Sequence, residues 1–266
     1  MSLQGIMSHD INICMRHRHL GCKHMHTMSA FAYVMRLGKG SDCSMEKLKR
    51  GFQKYKHGIP LVLYGTIYLS WFAWLERNVT RNYQVIHVKA DDYIPFCEVF
   101  VIPYLLWFFY VTAVVLFLFF KNKQEYYRIC TFLFTGMTIF LIVSTFFPNG
   151  HHLRPAILPR DNIFTRMVAL LWKVDTPTNI WPSIHVYNSM GAHFAIIRSS
   201  EFSNRRILKT TSFFLAVSII LSTMFIKQHS VFDVLTGIAM GAVMYVFVYR
   251  RELVRAAKPQ QDKALS

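Results

Sequence analysis

The chain has 266 residues, of which 53% are hydrophobic and 17% charged, and its formal charge is +16. Soluble domains are less apolar and more charged than this. The composition excludes a disordered chain, a secreted disulfide scaffold and most soluble enzymes.

In chain order, the first 44 residues are rich in His, Met and Cys and hold no apolar stretch long enough for a secretory signal. They read as a poorly ordered leader, 1–44, and Met45 offers a more natural start of translation. Cys14, His17, His19, Cys22, His24 and His26 are soft ligands, but their spacing fits no standard zinc pattern, so no metal is assigned to them. A basic segment, 45–57, carries Lys47, Lys49, Arg50, Lys54 and Lys56. Six apolar blocks follow, at 58–75, 99–120, 129–147, 181–197, 210–226 and 230–249. Each approaches the roughly 20 residues that cross a hydrocarbon core of about 30 Å. The expected fold is therefore all-α, a membrane bundle of six transmembrane helices over 58–250, followed by a basic tail, 251–266. The fourth block is the weakest, because it carries Ser183, His185, Asn188 and His193. Polar groups are costly against lipid, so this block and the sixth are expected to face the bundle interior.

Lys and Arg set the orientation. Of the 30, 22 fall in the N-terminal segment, the alternate loops and the C-terminal tail. That asymmetry predicts both termini in the cytoplasm of a multi-pass protein of the cell membrane. The excess charge is mostly a topology signal. No basic stripe with interleaved aromatics marks a nucleic-acid surface, so nucleic acid is not an expected partner.

The same map gathers chemistry on the outer side. The loop 148–180 holds His151, His152, Arg154, Arg160 and Asp161, then Asp175, Thr176, Thr178 and Asn179. The fourth block opens from that side with Trp181-Pro182-Ser183-Ile184-His185, and the sixth follows Lys227-Gln228-His229. Arg154, His185 and His229 are thus expected at one depth and on one face. His229 and Asp233 are four residues apart, which on a helix shares a face. An Asp there accepts the imidazole N–H, fixes its tautomer and leaves the other nitrogen as base or nucleophile. Gly237 and Gly241 continue the stripe, where small residues let a neighbouring helix approach. The plainer alternative for His229 and Asp233 is a structural hydrogen bond. His193 is expected to pack, His151 and His152 to be interfacial, and His57 and His87 to lie at the surface. The segment 162–172 reads as an interfacial amphipathic helix.

At these residues the sequence resembles the type 2 phosphatidic acid phosphatase superfamily, the lipid phosphate phosphatases. It looks most like the bacterial branch grouped with inositolphosphotransferases. The resemblance spans about residues 58–250 and rests on Leu153-Arg154-Pro155, on Pro182-Ser183-Ile184-His185, and on His229 with Asp233, Val234 and Gly237. It implies metal-independent, cofactor-free hydrolysis of a lipid phosphate or pyrophosphate, on the face that the charge map makes the outer one. His229 matches the nucleophile that becomes phosphohistidine, Asp233 the residue that orients it, and His185 the acid for the leaving oxygen. Ser183 and Arg154 match phosphate-oxygen ligands. The family pattern also has a Lys where Phe147 stands, Ser-Arg where Ser222 and Thr223 stand, and Gly in place of Ile184. Lys227 and Arg160 are the candidate replacements for the two missing cations. Besides the phosphatase, two readings stay open: transfer of a phospho-head group to an alcohol, and a non-catalytic membrane protein on the same fold.

Overall fold

The computed structural model describes residues 53–80 and 82–264, with side chains described as far as residue 250. The chain divides into two units, Met1–Lys56 and His57–Ser266. In the first, residues 53–56 form a helical turn. The leader 1–44, its candidate metal ligands and most of the basic segment lie outside the described residues.

The second unit is helical. Its elements are α1 (Ile59–Asn78), the short α2 (Lys89–Tyr93), α3 (Val101–Lys121), α4 (Lys123–Phe146), α5 (Ile163–Val174), α6 (Ile184–Arg198), α7 (Arg206–Phe225) and α8 (Val231–Ala264). Among the described residues five helices are long and apolar enough to cross a membrane, namely α1, α3, α4, α7 and the part of α8 up to Arg250. The fourth expected span is different. Its helix, α6, has 15 residues and starts at Ile184, because Ser183 caps it and the preceding residues are not helical. At 1.5 Å per residue it is about 22 Å long, short of a full crossing. It packs against α3, α4, α7 and α8, so neighbouring helices shield its polar residues. Of the six expected spans, five are long apolar helices, and the fourth is a short, polar helix packed among four of them.

Side-chain chemistry explains the boundaries. Asn122 is the one residue between α3 and α4. Its N–H closes α3 onto Leu118 O, and its side chain accepts from Glu125 N to open α4. Asn162 caps α5 by accepting from Thr165 N, so the expected amphipathic segment is a 12-residue helix. Ile163, Leu170 and Val174 remain exposed on it. Apolar side chains such as Val62, Phe109, Phe214 and Phe247 also point outward, where lipid tails rather than water suit them.

Inside a bilayer the hydrophobic effect does not press helices together, so packing and interhelical hydrogen bonds must. Tyr187 of α6 donates to Phe132 O of α4 at 2.7 Å, and its ring stacks on Phe132. Tyr64 and Trp71 of α1 donate to Phe134 O and Thr145 Oγ1 of α4. His193 of α6 meets Ser212 Oγ of α7 at 3.0 Å, and Ser212 meets Tyr110 of α3 at 2.7 Å. His193 is a packing and hydrogen-bonding residue, as its position suggested. His57 is not the surface residue expected: it is buried, stacks on Phe119 and reaches Phe119 O at 3.0 Å.

At one end of the bundle the loops are stitched by backbone bonds. Gln84–Val85 (β1) pairs in parallel with Asn149–Gly150 (β2), Gln84 opposite Asn149 and Val85 opposite Gly150. His151 N and Asn179 N continue the stitching onto Pro177 O and Asn149 O. Glu76, in the last turn of α1, accepts from Thr176 and from Asn179. The segment 82–88, the loop 147–153 and the segment 175–180 thus form one polar cap over the N-termini of α6 and α8.

Helix contact depends on glycines. A Cβ on Gly136 of α4 would lie 2.1 Å from the Tyr187 ring, whereas one on Gly65 of α1 would meet nothing within 4 Å. Gly136→Ala is expected to destabilise the protein by about 1–3 kcal/mol through overpacking. Gly65→Ala is expected to be neutral or to stabilise by up to about 1 kcal/mol through helix propensity. Thermal unfolding of both variants in detergent measures the difference.

Candidate active site

Four of the expected site residues meet at the N-termini of α6 and α8. His185 lies in the first turn of α6. His229 lies in the turn before α8, and Asp233 in the first turn of α8. His185 Nδ1 faces His229 Nε2 at 3.2 Å. Asp233 Oδ2 stands 3.5 Å from His229 Nδ1. Ser183 joins them through its backbone, which donates to Asp233 O at 3.3 Å, while its hydroxyl caps α6 at Val186 N. His229, Asp233 and Ser183 are all buried.

The His229–Asp233 proximity does not arise as the sequence suggested. The two were expected on one helix face, but α8 begins at Val231. His229 belongs to the preceding turn, and its N–H donates to Thr223 O at 3.0 Å. The contact comes from helix capping. Asp233 Oδ2 accepts from Ser230 N at 2.9 Å, the reach-back half of a capping box. That bond brings the carboxylate back over the turn and alongside the imidazole. Below the pair, a Cβ on Gly237 would lie 2.9 Å from Ser183 O, and one on Gly241 would lie 3.1 Å from the Met190 side chain. The stripe of small residues is the seam along which α8 packs on α6.

Aromatic rings enclose His185. Trp107 and Tyr104 of α3 lie with centroids 4.3 and 4.7 Å from its ring. Tyr104 donates to Asp175 Oδ2 at 2.5 Å, and Gln228 Nε2 donates to the same oxygen at 3.0 Å. Arg154 donates to Gln228 Oε1, to Asp175 O at 2.7 Å and to Trp172 O at 3.1 Å. Its Nε is buried and has no hydrogen-bond partner among the described residues. Gln228, adjacent to His229, therefore ties Arg154 to the turn that carries the histidine.

The other two expected cations are engaged elsewhere. Arg160 forms a two-pronged ion pair with Glu98, at 2.9 and 3.0 Å, and Asn162 donates to the same carboxylate. Lys227 turns its ammonium to Asp91 O at 3.1 Å and Ile94 O at 2.5 Å. Burial lowers the Lys227 ammonium from its ordinary value, against the opposing pull of Asp91 and Asp92. At the two positions where the family pattern has cations, Phe147 is exposed, while Thr223 is fully buried and returns its hydroxyl to its own helix.

Nothing in the sequence singles out Tyr104, Trp107, Gln228 or Asp91, and His151 is not the interfacial residue expected. His151 is 1% exposed. Its Nδ1 accepts from Leu153 N and its Nε2 meets Gln228 O at 3.1 Å, which sets the Nε2–H tautomer of a neutral ring. Burial, then the charges of Arg154 and His229, hold its pKa down to about 3. The unfolded chain takes up that proton first. His151 therefore contributes stability that is complete above about pH 6.5 and is lost as pH falls toward about 3. The slope from one such group is at most about 1.4 kcal/mol per pH unit. Melts from pH 7 to pH 4 are expected to show this acid sensitivity in the wild type and a shallower slope in His151→Gln.

Residues 153–255 match the family model described as PAP2 superfamily. No curated protein and no solved structure matches the chain. The matched stretch contains Arg154, Ser183, His185, His229 and Asp233, and it runs through α5, α6, α7 and most of α8. With five helices long and apolar enough to cross a membrane, the chain is a helical, membrane-embedded protein that is similar over residues 153–255 to the PAP2 superfamily.

Proposed function

We propose that the protein is a metal-independent phosphatase acting on a lipid phosphate or pyrophosphate at the outer membrane face. The observation that carries this reading is the chain of groups from Asp233 through His229 to His185. With the Nδ1–H of His229 turned toward Asp233, its Nε2 is left as an acceptor facing His185. An imidazole in that tautomer is the nucleophilic form.

In the first step His229 Nε2 bonds to phosphorus as the phosphorus–oxygen bond to the leaving group breaks. The electron pair leaves with that oxygen, and imidazolium His185 supplies its proton from Nδ1. In the second step neutral His185 takes a proton from water, the hydroxide bonds to phosphorus, and the bond to His229 breaks. Asp233 holds the positive charge that His229 gains as phosphoimidazolium. The 3.2 Å between His185 Nδ1 and His229 Nε2 is that of a closed pair. A near-attack geometry needs about 3–3.5 Å from nucleophile to phosphorus alone, so the phosphoryl group must part them.

Arg154 and Ser183 are the proposed phosphate-oxygen ligands. The unbonded, buried Nε of Arg154 is a donor that a phosphate oxygen would satisfy. The N-termini of α6 and α8 converge here, and their dipoles favour an anion. A phosphate role for Lys227 and Arg160 would require each to leave the partners it has. The sidedness rests on charge: the end of the bundle that carries the site is the end poor in Lys and Arg, so both termini are read as cytoplasmic. The positions Phe147, Ser222 and Thr223 supply no cation. That leaner site also suits a phosphotransferase, which shares the first step and delivers the phosphoryl group to an alcohol instead of water.

Purified protein in detergent with EDTA, offered a panel of lipid phosphates, tests the reading. Phosphate release is expected to survive chelation and to vanish in His229→Ala. His185→Ala is expected to lower kcat by about 10²- to 10⁴-fold, the usual range for loss of a general acid. The loss should shrink for an aryl phosphate, whose leaving group needs no proton. Release that persists in His229→Ala would sink the phosphohistidine mechanism. A new phosphomonoester of an added alcohol would assign the transferase, and inertness in both assays would leave a non-catalytic protein.

A further inference from the structure

The turn that carries His229 is gripped from outside by a segment far away in sequence. The strap 88–97 lies between α1 and α3 and includes the short α2. Asp91, on α2, is 2% exposed. Its Oδ1 accepts from Val231 N at 2.8 Å, and its Oδ2 accepts from Ser230 Oγ at 2.7 Å. The same Oδ2 accepts from Val88 N at 2.9 Å, which fixes the carboxylate on its own strap. Ser230 Oγ in turn accepts from Phe232 N at 3.2 Å. A helix normally finds its N-terminal cap in the residue before it. Here Ser230 does so for Phe232 N, and an aspartate about 140 positions upstream adds the acceptor for Val231 N and holds the Ser230 hydroxyl.

The grip is returned from the other side. Lys227 has a φ of 57°, a left-handed conformation that costs a side chain about 1 kcal/mol. That conformation sends its ammonium back to Asp91 O and Ile94 O. Cys97 N adds a third tie, to Phe225 O at 3.0 Å, where α7 ends. Three contacts from one strap thus enclose the residues on either side of His229. Asp233 by itself holds the imidazole loosely, at 3.5 Å, and its Oδ2 is already committed to Ser230 N. The imidazole and the carboxylate keep their relation only while the start of α8 stays fixed.

We propose that the strap 88–97 is the positioning element for His229, with Asp91 and Lys227 as its two positioning residues. The proposal rests on the reading of His229 as the nucleophile. Asp91 acts through Ser230 and Val231, and Lys227 acts by returning the turn to the strap. A misplacement near 1 Å can cost about 100-fold in rate. Loss of the grip should therefore lower kcat and leave substrate affinity alone.

The test uses the full chain in detergent, with Asp91→Ala, Asp91→Asn and Lys227→Met. Turnover of a short-chain phosphatidate is measured alongside hydrogen exchange over residues 225–235. The carbethoxylation rate of His229 is read against exposed His152 in the same molecule. Asp91→Ala is expected to lower kcat by about 10- to 100-fold with KM changed less than about twofold, the pattern of an interaction lost in the transition state. Exchange at Val231 and Phe232 should rise at least about tenfold, as a local opening requires. Asp91→Asn keeps an acceptor for Val231 N and should recover part of both losses; it also serves if the alanine variant does not fold. Lys227→Met should lower kcat and speed exchange without raising KM. A raised KM with unchanged exchange would put that ammonium on the phosphate and overturn its place in the strap. Wild-type kcat and unchanged exchange in Asp91→Ala would overturn the proposal. If wild type releases no phosphate, the reading of His229 as nucleophile falls. The strap is then judged by exchange and carbethoxylation alone, and unaltered values in Asp91→Ala would sink it.

Discussion

Between Phe225 and Val231 the chain leaves one membrane helix and enters the next, and each backbone N–H there needs an acceptor where water is scarce. Ile226 and Lys227 bond back to Ser222 O and Met224 O, and Gln228 and His229 share Thr223 O. Ser230 N takes Asp233, Val231 N takes Asp91, and Phe232 N takes the Ser230 hydroxyl. The rest of the site depends on this arrangement. It sets the imidazole of His229 against Asp233 on one side and His185 on the other. It also directs Gln228 toward Arg154 and Asp175. An unsatisfied group in this turn would cost about 1–3 kcal/mol, enough to reorganise it.

The bundle around the turn serves the same end. α6 is too short and polar to lie against lipid, so it sits among α3, α4, α7 and α8 and presents its N-terminus beside that of α8. Glycines set how closely it can lie: Gly136 takes the Tyr187 ring, and Gly237 takes the backbone at Ser183. The polar cap, from Glu76 through Asn149 to Asn179, then closes the loops over the paired termini. Rigid placement of His185, His229 and Asp233 is what the proposed phosphoryl transfer asks of a protein, since little covalent chemistry is left for it to do.

Arg154 and Arg160 show how far the sequence could be read. Both are basic residues of one outer loop, six positions apart, and both were candidate phosphate ligands. Arg154 is tied to the turn that carries His229 because Gln228 is its acceptor, whereas Arg160 is held by Glu98, just before α3. Neither partner is a neighbour in sequence. The His229–Asp233 pair was legible as a spacing, yet the spacing had the wrong cause. A helix face was expected, and a capping bond makes the contact. His151 and His57 looked peripheral because nothing local distinguishes a buried imidazole from an exposed one.

The sequence by itself determined that the protein is helical and membrane-embedded, because a run of about 20 apolar residues has no other stable place. It also determined which end of the bundle is poor in positive charge, and which polar residues stand at the helix ends there. Those are local properties, written in hydropathy and spacing. The tertiary structure decided the rest: that the fourth apolar block is a short interior helix, that Gln228 joins Arg154 to His229, and that Asp91 caps a helix about 140 residues away. These are pairings between distant segments. Each exists because a buried donor or acceptor must find a partner, and which partner it finds depends on how the helices pack.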